Sequence, residues 1–385
     1  MINFKCYLKK KDGSICGSAN LTKRGFDPYN KQKYYCNDCG GYPTEGAKKH
    51  RDKEDIKPIS PKTKQDKEKE IFENVKKISE EVLNKLEKRE RLEPQYEKGE
   101  LKPEKWLLLL SDIQYGLVVN PVEIGGLGYF SPKVAKERLK YLIETLIDIL
   151  RYFPNKPEEL CIALLGDNIE NAYMQDNQQS RIEFGICEQM IELEEMFLDM
   201  IIALSKYFPV IKLFAVVGGN HGRMGKKKNS ASPTDNFEYL LYHNLEKRLE
   251  GMKDIYFNYT KAKHMIIDIN DWNFWLEHGD TCKSWAGIPF YGLKREMANI
   301  NAMLRKFHKQ ADFLLAGHFH TKANFEDIFM NGSFPGGDAY SVGDLRRMDF
   351  PYQKLLGVNK KHGIVWDRNI CLIDDPRKLK IKIYR

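Results

Sequence analysis

Leu160-Cys161-Ile162-Ala163-Leu164-Leu165-Gly166-Asp167 is an uninterrupted apolar run that ends in a glycine and a carboxylate. A short run of this kind, bounded by a turn signal, predicts a buried strand of a parallel sheet. The pattern recurs nearby, since Trp106–Leu110 precedes Asp112 and Ile211–Val217 precedes Asn220. Longer stretches with helical periodicity alternate with these runs, at about 132–151, 183–206, 235–249 and 294–309. The alternation predicts an α/β domain.

Three further strand candidates end in polar residues in the same way. Met265–Ile269 and Trp272–Glu277 predict a hairpin that leads into His278, and Asp312–Ala316 leads into Gly317-His318-Phe319-His320. Ligands of α/β sheets bind just beyond the carboxyl ends of the strands, so these polar residues are expected at one site. Each of them alone is equally compatible with a turn or a structural histidine. The complete series of oxygen and nitrogen donors is Asp112, Gln114, Asp167, Asn220, His278, His318 and His320.

The order and spacing of these donors resemble the calcineurin-like metallophosphoesterase superfamily, whose motifs run D-x-H, G-D-x-x-[DE], G-N-H-[DE], H and G-H-x-H. The resemblance covers roughly residues 106–335 and implies a four-layer α-β-β-α sandwich with two divalent metals. One metal would be held by Asp112, Gln114, Asp167 and His320. The other would be held by Asp167, Asn220, His278 and His318. Hard oxygen donors mixed with imidazoles favour manganese, with iron or zinc as alternatives.

The resemblance also implies a mechanism in which the two metals activate a hydroxide for in-line attack on phosphorus. Asp167 would bridge the metals and Asn220 would ligate one of them. His221, directly after Asn220, would be the general acid for the leaving oxygen. The remaining histidines are interpreted as structural or surface residues, namely His50, His243, His264, His308 and His362.

Two positions depart from the family pattern. Gln114 supplies an amide where the first motif has an imidazole, which weakens the first metal site or changes its preferred ion. Arg223 follows the third motif where an acid is common, and lysines occupy positions 226–228. These cations either bind a polyanionic substrate or belong to an exposed basic loop.

Four of the eight cysteines lie in the first 39 residues, and the pair Cys36 and Cys39 has the spacing of a zinc knuckle. With Cys6 and Cys16 they predict one structural zinc in a segment that resembles the zinc ribbons of transposases. Cys6 is the least typical ligand, because nine residues separate it from Cys16 instead of the usual two to four. The alternative is a reduced, metal-free basic tail.

Charge and composition divide the chain further. Residues 1–50 carry ten Lys/Arg against four Asp/Glu, which favours a polyanion as partner. Residues 47–104 are rich in Lys and Glu and contain one amphipathic pattern at about 65–92, a helix expected to dock on the main domain or to pair with a second copy or a protein partner. The expected organisation is therefore a zinc-ribbon-like domain (1–46), a charged linker with a helix (47–104) and a metallophosphoesterase domain (105–385).

No apolar stretch approaches the roughly 20 residues that span a bilayer, and the N-terminus shows no secretory signal, so a cytoplasmic protein without membrane contact is expected. Aromatic residues and cations that follow His278 predict a wall for a nucleic-acid strand, namely Trp285, Tyr291 and Arg295. The tail, with Tyr340 and Asp344-Leu345-Arg346-Arg347, would extend it. A hydrophobic cap on the following helix is the alternative interpretation.

The resulting hypothesis is a metal-dependent phosphodiesterase acting on DNA, similar to double-strand-break repair nucleases and their bacteriophage relatives. The alternatives are a phosphomonoesterase acting on nucleotides or phosphoproteins, and a non-catalytic DNA-binding accessory subunit.

Overall fold

A computed structural model describes most of the chain, in the ranges 5–8, 14–26, 32–43, 64–84, 90–92, 101–153, 156–174, 178–225, 232–283 and 289–373. The chain divides into two compact units, Met1–Thr63 and Lys64–Arg385. Among the described residues, no helix is both long enough and apolar enough to cross a bilayer.

The first unit contains a two-stranded antiparallel sheet, β1 (Leu21–Phe26) and β2 (Gln32–Cys36). Among the described residues of this unit, the buried apolar cluster consists of Cys6, Leu21, Tyr34 and Cys36. A cluster of this size is too small to stabilise a fold by itself, so such a unit needs a metal or disulfides.

The second unit has a six-stranded sheet with the order β13-β12-β3-β4-β5-β6. Its strands are β3 (Leu101–Leu110), β4 (Lys156–Leu164), β5 (Ile211–Ala215), β6 (Ile255–Tyr259), β12 (Tyr352–Asn359) and β13 (Gly363–Cys371). The four strands β3 to β6 are parallel, whereas β12 pairs antiparallel with β3 and β13. The parallel strands bring the loops after β3, β4 and β5 to one edge of the sheet.

The second sheet of this unit has five strands in the order β10-β11-β9-β8-β7. They are β7 (His264–Ile269), β8 (Trp272–Glu277), β9 (Phe313–Ala316), β10 (Ala323–Phe325) and β11 (Ile328–Met330). The helices of the unit are α1 (Lys64–Leu83), α2 (Pro132–Tyr152), α3 (Ile186–Ser205), α4 (Phe237–Leu249) and α5 (Phe290–Leu304). A six-residue π-helix, Ala339–Asp344, precedes β12.

Alternation along β3 shows how the layers stack. Trp106, Leu108 and Leu110 pack in one cluster with side chains of α2, α3 and α4. Leu107 and Leu109 point the other way and pack against the second sheet. On the far face of that sheet, α5 packs against β8, β9 and β11. The predicted four-layer α-β-β-α arrangement is confirmed.

The secondary structure departs from the sequence prediction at several places. The predicted helix at 65–92 ends at Leu83, and residues 90–92 are not helical; Arg91 instead binds the carbonyl oxygens of Pro209 and Lys253 and the carboxylate of Asp254. Within the second unit, α1 contacts α4 through a hydrogen bond from Asn244 to Ser79. Strands β6, β10, β11, β12 and β13 were not anticipated.

Candidate metal centre

The predicted donors converge where the loops of the two sheets meet. Backbone hydrogen bonds join these loops to one another: Gln114 N donates to Asp167 O at 3.0 Å, and Gly317 N donates to His278 O at 3.0 Å. The loop after β3 is thereby joined to the loop after β4, and the loop after β8 to the loop after β9. The side chains are held on a rigid base.

Five of the predicted ligands have left-handed backbone conformations, which non-glycine residues adopt at a cost of about 1–3 kcal/mol. Their φ angles range from 47° to 69°, in Asp112, Gln114, Asp167, His318 and His320. Strain of this kind persists only where surrounding structure enforces it and is concentrated at functional sites. The left-handed conformation marks a sharp turn of the backbone at each of these residues.

Two glycines allow the loops to approach closely. A Cβ on Gly219 would lie 2.7 Å from the backbone nitrogen of Asp167, and one on Gly317 would lie 2.7 Å from Asp112 Oδ2. Both separations are shorter than real Cβ contacts, and Gly219 also has a φ of 93°. Any side chain at these positions would therefore push the carboxylates apart.

Asp167 is the central acid of the site and is almost fully buried. Its Oδ1 accepts a hydrogen bond from His221 N at 2.8 Å, and its Oδ2 lies 2.9 Å from His278 Nε2. One ligand atom from each of Asp167, His278 and His318 falls within 4.8 Å of the others. Burial raises the pKa of Asp167, but the charges of His278 and His221 outweigh it and hold the pKa well below its usual range. The carboxylate is therefore ionised at neutral pH.

His278 is oriented to present a lone pair to Asp167. Its Nδ1 lies 2.8 Å from the carbonyl oxygen of Leu165, to which it donates, and its Nε2 makes no aligned hydrogen bond with Asp167 despite their proximity. Burial lowers the pKa of His278, but Asp167 reverses this and raises it to about 10. The two groups thus attract a positive charge, either a proton or a metal ion, into the space between them.

His318 is the complementary case. Burial and the neighbouring His278 lower its pKa to about 4, so its imidazole is unprotonated at neutral pH and available as a ligand. Its backbone N–H donates to both carboxylate oxygens of Asp112, at 3.1 and 3.0 Å.

Asp112 lies on the other side of the site, beside His320. His320 Nε2 is 3.5 Å from Asp112 Oδ1, and Ser111 Oγ donates to Asp112 Oδ2 at 2.6 Å. Burial lowers the pKa of His320, but the hydrogen bond to Asp112 and the charges of Asp112 and Asp338 together raise it above its usual value.

Buried polar atoms without partners test whether these residues fit metal ions. Ten buried side-chain atoms of the described residues make no hydrogen bond, and three of them are Gln114 Oε1, Asn220 Oδ1 and His278 Nε2. Leaving such an atom unsatisfied costs about 1–3 kcal/mol. All three belong to the predicted ligand set, and all three have a lone pair. The donor set therefore fits divalent cations.

His221 and Glu170 form a buried pair next to the donors. His221 Nδ1 lies 2.9 Å from the carbonyl oxygen of Glu170 and 3.1 Å from its Oε2, while Gln114 Nε2 lies 3.3 Å from His221 Nε2. Burial lowers the pKa of His221, but Glu170 and Asp167 raise it well above the usual value. His221 is therefore held in its protonated form, with Nε2 toward the site.

These residues form the floor of a cavity of about 150 Å³. Its floor includes Gln114, Asp167, Asn220, His221, His318 and His320. The walls come from three segments: residues 117–124, Arg181, and residues 336–349 with the π-helix.

Of the residues predicted to contact the substrate, Tyr340 and Arg347 line this cavity. Tyr291 and Arg295 are exposed on α5 and do not line the cavity, and Trp285 lies outside the described residues. Arg223 donates from Nε to the carbonyl oxygen of Asn220 at 3.3 Å, and its Nη1 is buried without a partner in the described structure. Arg223 does not line the cavity either. It contacts the proposed ligand Asn220 at the backbone carbonyl oxygen.

Two cavity residues were missed by the sequence analysis. Glu170 stands three residues after Asp167, at the acidic position of the motif G-D-x-x-[DE], and that motif was the available signal. Arg181 stands in a short 3₁₀ turn with no motif around it, so no sequence signal pointed to it.

The four N-terminal cysteines also come together. The sulfurs of Cys6 and Cys39 are 3.7 Å apart, as are those of Cys16 and Cys36. Disulfide sulfurs lie about 2.05 Å apart. Zinc–sulfur bonds of about 2.3 Å in a tetrahedron place the sulfurs about 3.8 Å apart. Burial raises the pKa of Cys36, but backbone N–H groups of Cys39 and Asp38 outweigh it and lower the pKa to about 7, which favours a thiolate. The geometry fits one zinc.

The sequence matches no protein-family model and no curated protein. Among solved structures, the chain is similar to Vps29 complexed with zinc from Entamoeba histolytica, with a TM-score of 0.29 and 12% identity over 70% of this chain and 99% of that one. It is similar to a conserved uncharacterized protein of Streptococcus pneumoniae TIGR4, described as a predicted phosphoesterase, with a TM-score of 0.23 and 10% identity over 70% and 98% of the two chains. A third is the sulfate thiohydrolase SoxB of Thermus thermophilus in complex with glycerol, with a TM-score of 0.30 and 9% identity over 72% and 58%.

Proposed function

We propose that the protein is a metal-dependent phosphodiesterase of the calcineurin-like type that acts on DNA. The observation that supports it most strongly is the set of buried donor atoms without partners, Gln114 Oε1, Asn220 Oδ1 and His278 Nε2, around the ionised Asp167. A structural polar network would satisfy these atoms internally. Gln114 and Asn220 line the cavity together with Asp167, and His278 Nε2 lies 2.9 Å from Asp167 Oδ2.

The ligand assignment of the sequence analysis fits this arrangement. Asp112, Gln114 and His320 would hold one divalent ion, Asn220, His278 and His318 the other, and Asp167 both; manganese is the first ion to test. Two such ions supply activation of water and neutralisation of charge on the phosphoryl oxygens.

Side chains of the protein would protonate the leaving group. His221 is protonated, buried and fixed by Glu170 through Nδ1, which leaves Nε2 as the proton donor toward the cavity. A proton from this atom would pass to the leaving oxygen of the substrate. The carbonyl contact fixes the ring orientation, and the Glu170 carboxylate stabilises its positive charge.

The choice of DNA rests on the N-terminal unit. Its four sulfurs have the spacing of a zinc site, and residues 1–50 carry a net charge of +6. A metal-stabilised basic unit is a common nucleic-acid module. The exposed described cations Lys5, Lys23 and Arg24 lie on this unit.

A phosphomonoesterase is the second candidate, because a cavity of about 150 Å³ encloses little more than a phosphoryl group. The decisive comparison is hydrolysis of bis-p-nitrophenyl phosphate against p-nitrophenyl phosphate by the full chain with Mn²⁺. A diesterase should prefer the first by at least ~10-fold in kcat/KM, an apparent transition-state difference of about 1.4 kcal/mol.

End-labelled single- and double-stranded DNA, incubated under the same conditions, tests the DNA assignment. Asp268→Asn serves as the matched control for Asp167→Asn, since Asp268 is exposed on β7 and does not line the cavity. Preference for the monoester, with intact DNA, would contradict the proposal.

A further inference from the structure

The wall of the cavity contains an arginine, Arg181, that has no side-chain partner among the described residues. Arg181 is exposed and lines the same cavity as the donors, yet its side chain makes no hydrogen bond or ion pair with any described residue. Its backbone is fixed nevertheless, because Val118 N donates to Arg181 O at 2.7 Å and Leu117 pairs with Ile182. Leu117 in turn follows Gln114 by three residues. The backbone of Arg181 is therefore bound to the segment that directly follows the proposed ligand Gln114.

The acids of the same walls have partners. Asp349 is paired with Lys322 at 2.9 Å, Asp338 Oδ1 accepts a hydrogen bond from Ser341 N at 2.6 Å, and Glu123 accepts one from Asn120 at 3.2 Å. Arg181 thus contributes positive charge to the rim, and no carboxylate of the described residues forms an ion pair with it.

A second arginine borders the cavity from another segment. Arg347 Nη2 donates at 3.1 Å to the carbonyl oxygen of Phe319, the residue between His318 and His320. Tyr340, in the π-helix, lines the cavity and is 53% exposed. The rim therefore combines guanidinium groups with an accessible aromatic ring, the chemistry that binds phosphates and stacks on bases.

We infer that Arg181 binds the phosphate adjacent to the scissile phosphodiester, and that the substrate is a polynucleotide strand whose neighbouring base contacts Tyr340. This inference rests on the proposed phosphodiesterase function. The cavity is smaller than the roughly 300–1,000 Å³ that enclose a whole small ligand, so it holds the reacting phosphoryl group while the rest of the substrate lies on the rim. A polynucleotide places a further phosphate there, whereas a small diester or a monoester does not.

The test compares Arg181→Gln with Arg305→Gln in the full chain. Arg305 is exposed at the end of α5 and lies outside the cavity lining, so its variant changes net charge equally. With a labelled 12-nucleotide oligothymidylate and Mn²⁺, Arg181→Gln should raise KM by ~10–100-fold, the scale of one charge-assisted phosphate contact. The rise should exceed that for bis-p-nitrophenyl phosphate by at least ~10-fold, and the slope of log affinity against log salt should become shallower by about 0.7. Arg305→Gln should match the wild type.

Variants of Tyr340 supply a second test, which does not depend on charge. Tyr340→Ala should weaken oligothymidylate binding by ~5–100-fold, whereas Tyr340→Phe should retain it, because the ring and not the hydroxyl stacks. Equal effects of Arg181→Gln and Arg305→Gln, or equal losses on both substrates, would overturn the inference.

Failure of the proposed function has a different signature. A wild-type protein that hydrolyses neither substrate contradicts the phosphodiesterase assignment. The equilibrium Kd of the labelled oligothymidylate, measured by fluorescence anisotropy for both arginine variants, decides the role of Arg181 independently of turnover. An unchanged Kd in Arg181→Gln overturns the inference.

Discussion

Glu170→Gln should shift the alkaline limb of the pH–rate profile to lower pH. His221 must carry a proton to act as the acid, so activity is retained below its pKa and lost as pH rises through it. The carboxylate of Glu170, 3.1 Å from Nδ1, helps to raise that pKa. An opposite charge at this range is worth about 1–3 pKa units, or about 1.4–4 kcal/mol. Glutamine removes the charge but keeps the 2.9 Å contact between Nδ1 and the backbone carbonyl oxygen, so the ring orientation is preserved.

The assay is kcat/KM against pH for a dithymidine phosphodiester, whose alkoxide leaving group requires a proton. The alkaline limb of Glu170→Gln should lie about 1–3 pH units below that of the wild type. At pH values below the alkaline limbs of both proteins, the rate of the variant should stay within a fewfold of the wild type. Glu123→Gln is the matched control, because Glu123 lines the same cavity without contacting His221. His221→Ala should lack the limb altogether. An unshifted limb in Glu170→Gln, or a limb that persists in His221→Ala, would refute the assignment of the acid.

Three further substitutions probe other parts of the molecule. Gln114→His should lower the Mn²⁺ concentration for half-maximal activity, because imidazole is a stronger donor than an amide oxygen. Weaker metal binding by the variant in titration calorimetry would count against the first-site assignment. Cys36→Ser should remove one equivalent of zinc by elemental analysis and weaken the salt dependence of DNA binding; full zinc retention would contradict the four-thiolate site. Glu238→Gln should stabilise the protein more at pH 8 than at pH 5. Burial raises the pKa of Glu238 to about 8, so between these pH values the unfolded wild type loses a proton that the folded wild type keeps. The stability of the wild type therefore falls as pH rises, and the glutamine variant lacks this loss. Thermal unfolding with equal shifts at both pH values would exclude this coupling.

The sequence was most informative where apolar periodicity and strand-end donors coincide. Strands β4 and β8 and helices α2 and α4 lie within a few residues of their predicted bounds, because their packing faces produce continuous apolar runs. Strand β3 begins at Leu101 rather than Trp106, since its first half is polar and its pairing with β4 shifts register around Pro103.

Other features depend on contacts that no local pattern encodes. Strand β13 alternates few apolar residues with exposed ones and pairs only with β12, so its signal was weak. Arg181 reaches the cavity because its turn pairs with the segment after Gln114, a tertiary relationship without a motif. The donors themselves could be predicted, as could Tyr340 and Arg347, whereas the rest of the cavity wall could not.

Hydrolysis of bis-p-nitrophenyl phosphate by chelator-treated protein, titrated with Mn²⁺ and compared between wild type and Asp167→Asn, tests the central claim most directly. The substitution is nearly isosteric but removes the charge shared by His278, His221 and the proposed metals. We expect the wild type to be inactive without metal and to be restored by Mn²⁺. Asp167→Asn should remain at least ~10²-fold slower at saturating metal, with its fold intact by circular dichroism. Activity that survives chelation, or equal turnover by Asp167→Asn, would contradict a metal-dependent phosphodiesterase centred on Asp167.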